Sequence, residues 1–127
     1  NVSSEKYKRS ALTAEMAENI AQKMETAMAS EHLYLDANLS LPKLAKHIHT
    51  SPNYISQTLN EILATNFFDY VNYKRIVDAQ KLLLESELTV LDIAMQVGFN
   101  SKSAFYSAFK KHTQLTPSAY KKRTLNK

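Results

Sequence analysis

Cysteine is absent from the 127 residues, which excludes disulfides, thiolate zinc sites and a cysteine nucleophile and suits a reducing compartment. Glycine occurs once and proline three times, so the turn residues that a many-stranded sheet requires are missing. No apolar run approaches the roughly 20 residues needed to cross a bilayer, and no signal-peptide pattern opens the chain. There is no glycine-rich phosphate loop, nucleophile elbow or suggestively spaced acidic pair. Acidic side chains are also missing from one end: residues 93–127 hold seven of the sixteen basic groups and none of the twelve acidic ones. Such a cationic end attracts polyanions, nucleic acid first among them, although it suits a solvated tail as well.

The residues that are present read as helices. Residues 1–11 are polar and unpatterned, as expected of a linker arriving from an upstream segment, and the linker is placed at 1–12. Thr13 caps a first helix with Met16, Ile20, Met24 and Met28 recurring to about Ser30. Ser40 caps a short second helix, with Leu41, Leu44, Ala45 and Ile48 on one face and an end near His49. Ser51-Pro52 starts a third, whose buried side is Ile55, Leu59 and Ile62. Residues 67–86 form a longer fourth helix with apolar groups on two sides, Phe67, Tyr70 and Val71 against Ile76, Ala79 and Leu83, as a helix joining two lobes requires. Thr89 and Asp92 stand in capping-box spacing before Val90, Ile93, Ala94 and Val97, and Gly98 supplies a turn. Ser101 caps a sixth helix carrying Phe105 and Phe109, and Thr116-Pro117 opens a seventh that runs through Tyr120 into a basic end. The expectation is an all-α chain of seven helices: a first subdomain over 13–66, a linking helix over 67–86 and a second subdomain over 87–127.

The second and third helices recur as the fifth and sixth, at an offset of about fifty residues. Leu44, Ala45 and Ile48 match Ile93, Ala94 and Val97; Ser51, Ile55 and Leu59 match Ser101, Phe105 and Phe109, with one extra residue near Asn100. A short helix with a small alanine, a tight turn and a serine-capped helix make a helix-turn-helix. On the third helix, with Ile55 and Leu59 inward, Asn53, Gln57 and Asn60 face outward and Ser56 lies at the flank. On the sixth the same count puts Ser103, Ser107 and Lys110 outward, Tyr106 at one flank and Lys102 in the first turn. Amide side chains pair bidentately with adenine, lysine favours guanine or phosphate, and serine accepts several partners, so these types suit base edges in a major groove. They suit water equally, and the register of two such faces beside a cationic end is what favours DNA. Lys121, Lys122 and Arg123 suit phosphate contact or simple solubility.

The sequence resembles the AraC/XylS family of bacterial transcription regulators. The residues that carry the likeness are Leu44-Ala45, the Arg75 to Leu83 segment, Ile93-Ala94-Met95-Gln96-Val97-Gly98-Phe99-Asn100-Ser101, Phe105, Phe109-Lys110-Lys111 and Thr116-Pro117 to Tyr120, within roughly residues 14–123. The resemblance implies a C-terminal DNA-binding domain with two helix-turn-helix units, whose third and sixth helices enter successive major-groove segments of double-stranded DNA. Carried over by position, the base-facing residues are Asn53, Ser56 and Gln57, then Lys102, Ser103, Tyr106 and Ser107; the wheel adds Asn60. Backbone contacts fall to Lys110, Lys111, Lys121, Lys122 and Arg123. The resemblance also implies an N-terminal sensory domain upstream, either a small-molecule domain or a membrane receptor, and RNA polymerase as a partner. No cofactor, metal, catalytic residue or membrane contact is expected of these residues, and the expected location is the cytoplasm, with any membrane anchor in the upstream part. His47 and His49, two apart, project some 200° from each other on a helix and cannot share a metal. His49, Ala64 and Gln114 stand where such domains often carry glycine at a turn or helix end. The competing reading is a helical adaptor that binds another protein through its polar faces.

Overall fold

The structure, a computed structural model, describes residues 12–126. The linker expected over residues 1–12 lies outside them except for Leu12. The described residues form seven α-helices and one 3-10 turn, with no strand among them: α1 (Ala14–Glu31), the turn Leu33–Leu35, α2 (Leu41–His47), α3 (Pro52–Glu61), α4 (Phe67–Glu85), α5 (Val90–Gln96), α6 (Lys102–Thr113) and α7 (Pro117–Leu125). They divide into two compact units. Of the described residues, one holds those up to Ser30 together with Ser40–Phe67; the other holds Glu31–Leu39 and those from Phe68 onward.

That division differs from the expected one in two respects. Glu31–Leu39 leaves the first unit, and α4 beyond its first residue is part of the second unit rather than a separate element. The physical reason is a buried guanidinium on α4. Arg75 Nε donates to the Tyr34 carbonyl at 2.7 Å and Nη2 to the Asp36 carbonyl at 2.9 Å, while the Tyr34 hydroxyl donates to Asp78. Burial, together with the Asp78 carboxylate that accepts from it, pushes the Tyr34 phenol up to about 12. Burial also lowers the Arg75 pKa from its usual value, opposed by the nearby Asp36 charge.

Hydroxyl caps start six of the seven described helices, all but α4. The side chains of Thr13, Ser40, Ser51, Thr89, Ser101 and Thr116 each accept from the amide three residues on, at Met16, Lys43, Tyr54, Asp92, Ala104 and Ala119. Each cap satisfies one of the amides left orphaned at a helix start, which stabilises it by about 1 kcal/mol. Two apolar assignments move. On α1 the buried stripe is Ala17, Ile20, Met24, Ala27 and Met28, and Met16 is exposed, because three- and four-residue steps through position 17 leave 16 off the stripe. On α3 the buried side is Ile55, Thr58 and Leu59; Ile62 is exposed, since the helix stops at Glu61 and no further turn carries it inward.

The second unit is built around Ile76, Ala79, Leu83, Ile93, Ala94, Val97, Phe99, Phe105, Ala108 and Phe109. Its aromatic rings meet edge-on or tilted, Phe99 with Phe105 at 5.4 Å, Phe105 with Phe109 at 5.6 Å and Phe109 with Tyr120 at 5.5 Å, the arrangement that aromatic quadrupoles favour. In the first unit Leu44, Ala45, Ile48, Ile55 and Leu59 take the equivalent positions. Thr58 stands where the second unit has Ala108. It is completely buried, and its hydroxyl finds no partner among the described residues.

The turn after the short helix is the same in both units. Thr50 N–H donates to the Ala45 carbonyl and Phe99 N–H to that of Ala94, each at 2.9 Å; inside these, His49 N–H reaches Lys46 O and Gly98 N–H reaches Met95 O. This is a Schellman closure, which needs a left-handed residue at its centre. His49 takes φ 59° and Gly98 φ 106°. Ala64 and Gln114, just past the ends of α3 and α6, are left-handed too, at φ 50° and 67°. All three departures from glycine thus sit in left-handed backbone.

The two turns should answer oppositely to substitution. A Cβ on Gly98 would lie 2.5 Å from the Tyr34 carbonyl oxygen and 2.8 Å from Arg75 Nε, whereas His49 is exposed and only its φ is unfavourable. Gly98→Ala should therefore cost at least about 3 kcal/mol, and His49→Gly should stabilise by up to about 1 kcal/mol after the entropy of a free glycine is counted. Thermal melts of both variants check this; equal and opposite signs to these would be contrary. Thr58→Val, which removes the unpartnered hydroxyl and keeps the volume, should raise stability by about 1 kcal/mol, and a lower melting temperature would mean the hydroxyl is satisfied.

Candidate nucleic-acid interface

Each serine-capped helix buries one side and exposes the other. On α3, Asn53, Ser56 and Asn60 are exposed and Gln57 is half-buried. On α6, Lys102, Ser103, Ser107 and Lys110 are exposed and Tyr106 is half-buried. The halves align position by position, Asn53 with Ser103, Ser56 with Tyr106, Gln57 with Ser107 and Asn60 with Lys110, and Ile55 and Leu59, fully buried, match Phe105 and Phe109; burial differs at two of the pairs, where Tyr106 and Gln57 are half-buried and Ser56 and Ser107 exposed. The cause is local: the capping serine fixes where each helix starts, and one aliphatic or aromatic pair four residues apart fixes its rotation.

The α6 face is also shaped by its aromatic flank. Tyr106 meets Phe105 edge-on at 6.2 Å, and Lys102 Nζ lies 5.6 Å from the Tyr106 ring centroid. The ammonium of Lys102 thus has a cation–π partner in the first turn, where it faces outward with Ser103.

The five residues assigned to phosphate contact are not equivalent. Lys110 and Lys111 close α6, and Lys122 and Arg123 lie in the last turn of α7; all four are exposed, whereas Lys121 is half-buried. Lys111 Nζ is paired with Asp69 Oδ1 at 2.7 Å in the first turn of α4, an exposed pair worth under about 1 kcal/mol that a phosphate can displace. Arg123 lines a half-open recess of about 270 Å³ together with Gln80, His112, Thr113, Leu115, Tyr120 and Thr124.

Arg75 was legible as part of a patterned segment but not as a buried charge. The signal was present: an arginine beside Ile76 on the stripe that continues through Ala79 and Leu83 has nowhere to go but inward, and a buried guanidinium must find acceptors. His47 ends α2 and His49 lies beyond it in left-handed backbone, so the two do not share a helix face. Among the described residues no group of three histidine, aspartate or glutamate side chains is placed to hold a metal ion, and no helix is long and apolar enough to cross a membrane.

A family model described as a helix-turn-helix domain matches residues 44–123. Regulatory protein PocR of Salmonella typhimurium is 33% identical over 101 residues, covering 80% of this chain and 33% of PocR. The C-terminal domain of the two-component response regulator yesN from Fusobacterium nucleatum superposes with a TM-score of 0.72 at 33% identity, covering 81% of this chain and 98% of that one. The C-terminal domain of AraT, a response regulator from Geobacillus stearothermophilus, gives 0.73 at 25% identity, covering 89% and 88%. This chain spans about a third of the length of PocR.

Proposed function

Because the chain belongs to the AraC/XylS family of helix-turn-helix DNA-binding domains of transcription regulators, we propose that it binds double-stranded DNA site-specifically through two reading helices, α3 and α6, in successive major-groove segments. The observation that carries this reading is the repetition, in register, of cap, left-handed turn and outward hydrogen-bonding face in the two units. Two such faces double the base edges that one polypeptide reads, which is how a single chain reaches specificity without pairing with a copy of itself.

Asn53, Ser56, Gln57 and Asn60 read bases from the first unit, and Lys102, Ser103, Tyr106 and Ser107 from the second. Gln57 and the asparagines offer an amide that both donates and accepts, the pattern adenine presents in the major groove. Lys110, Lys111, Lys121, Lys122 and Arg123 hold the phosphate backbone, with Lys111 exchanging Asp69 for a phosphate oxygen. Successive major-groove segments repeat at about 34 Å, so the duplex bends where the two helices do not match that spacing unaided.

The domain is the output part of a longer cytoplasmic regulator, with a sensory region and RNA polymerase as its protein partners. The match to a third of the regulatory protein PocR supports its being one part of a longer regulator. The chemistry of this reading is binding rather than catalysis.

Gln57→Ala and Ser107→Ala should each weaken binding to a target selected from genomic fragments by about 1 to 3 kcal/mol while leaving random DNA untouched. Lys122→Ala should weaken target and random DNA alike and reduce the slope of affinity against salt by about one unit. Mobility-shift titrations over a salt series measure both, and equal losses on target and random DNA for the first two variants would contradict the assignment.

A further inference from the structure

The Arg75 cluster is linked to α6 through two aromatic rings. Its guanidinium carbon lies 5.5 Å from the ring centroid of Phe99, and the Phe99 ring packs 5.4 Å from that of Phe105, the first buried anchor of α6. Phe99 is also the residue whose amide closes the turn onto Ala94. Beside it Gly98 leaves just enough room for the Tyr34 carbonyl and Arg75 Nε. Each nitrogen of Arg75 has an acceptor: Nε donates to Tyr34 O, Nη2 to Asp36 O, and Nη1 to Asn72 Oδ1 at 3.3 Å.

We propose that Arg75 is the positioning residue of the second reading helix, setting the orientation of α6 through Phe99 and Phe105 and making the segment Leu33–Asp36 part of that helix's foundation. This rests on α6 being a reading helix. The rigid, planar guanidinium suits the task because its separate nitrogens reach two carbonyls at once while its face stays against an aromatic ring. Lysine offers one compact ammonium, which cannot span both acceptors and stack as well. The bound carbonyls have a second role. Tyr34 O forms the wall against which Gly98 is packed, so the α5–α6 turn takes its position from a piece of chain that follows α1 and precedes α2 in sequence. A displacement of Leu33–Asp36 removes that wall and Arg75's acceptors together, which gives events at the end of α1 a physical route to α6.

The test compares Arg75→Lys and Phe99→Leu with a stability control, Leu83→Ala, which truncates the same core away from the turn. The full chain is used at a temperature well below the melting point of every variant, with a target selected by the wild type and a random duplex of equal length. The first two variants should lose about tenfold or more in preference for target over random DNA, the loss expected when base-contacting side chains are misplaced. Amide hydrogen exchange should quicken over residues 33–36 and 99–109 while α3 stays as in the wild type. Leu83→Ala should melt earlier and keep its preference. Preference and exchange at wild-type levels in Arg75→Lys and Phe99→Leu would overturn the proposal, and so would an equal loss of preference in Leu83→Ala, which would reduce the effect to stability. Ser107→Ala, run alongside, separates the two levels. If it keeps full preference, α6 does not read bases, and the reading assignment falls and takes this inference with it.

Discussion

One backbone hydrogen bond per unit, from Thr50 N–H to Ala45 O and from Phe99 N–H to Ala94 O, is the constraint on which the other features depend. It closes the turn between the short helix and the serine-capped helix, and it forms only if the alanine is small enough for the two helices to cross closely and the residue before the donor is left-handed. Ala45 and Ala94 are almost fully buried, and His49 and Gly98 supply the left-handed step. Once the turn is closed, the serine cap and the buried pair that follows leave the helix one rotation, which exposes Asn53 and Asn60, or Ser103, Ser107 and Lys110, and leaves Gln57 half-buried.

The two copies solve the same geometry with different reserves. The first tolerates histidine in the left-handed position because its Schellman turn is exposed there, and it carries an unsatisfied hydroxyl at Thr58 where the second has Ala108. The second uses the single glycine of the chain, because at position 98 both conformation and space are limiting. Its added constraint is Arg75, which converts a stretch between α1 and α2 into a supporting wall. Burying a guanidinium is costly unless its donors are taken up, and here a ring and three oxygen acceptors take up the group. The contacts that keep the charge satisfied thus also hold the turn leading into α6.

Local chemistry was the legible part of the sequence. Ser40, Ser51, Thr89, Ser101 and Thr116 announced their helices because a cap is a contact over three residues, and the duplicated Leu-Ala and Ile-Ala pairs announced the turns. The left-handed backbone at His49, Ala64 and Gln114 was legible only through likeness to a family that has glycine there, since histidine, alanine and glutamine carry no such signal themselves. Met16 and Ile62 were misplaced because a periodic stripe does not say which of two adjacent apolar residues it contains, nor where its helix ends. The membership of Glu31–Leu39 in the second unit was beyond reach. It is made by Arg75 over a separation of about forty residues, and no pattern within a helix encodes which carbonyls a buried arginine will find.

The most direct measurement of the central claim, that twin turns present two reading helices from one polypeptide, is a hydroxyl-radical footprint of the chain on a selected duplex. Two protected patches on the same face, about one helical turn of roughly 10 base pairs apart, are the predicted result. A single patch of one half-site, unchanged when the second unit is unfolded by Ile93→Asp, would contradict it.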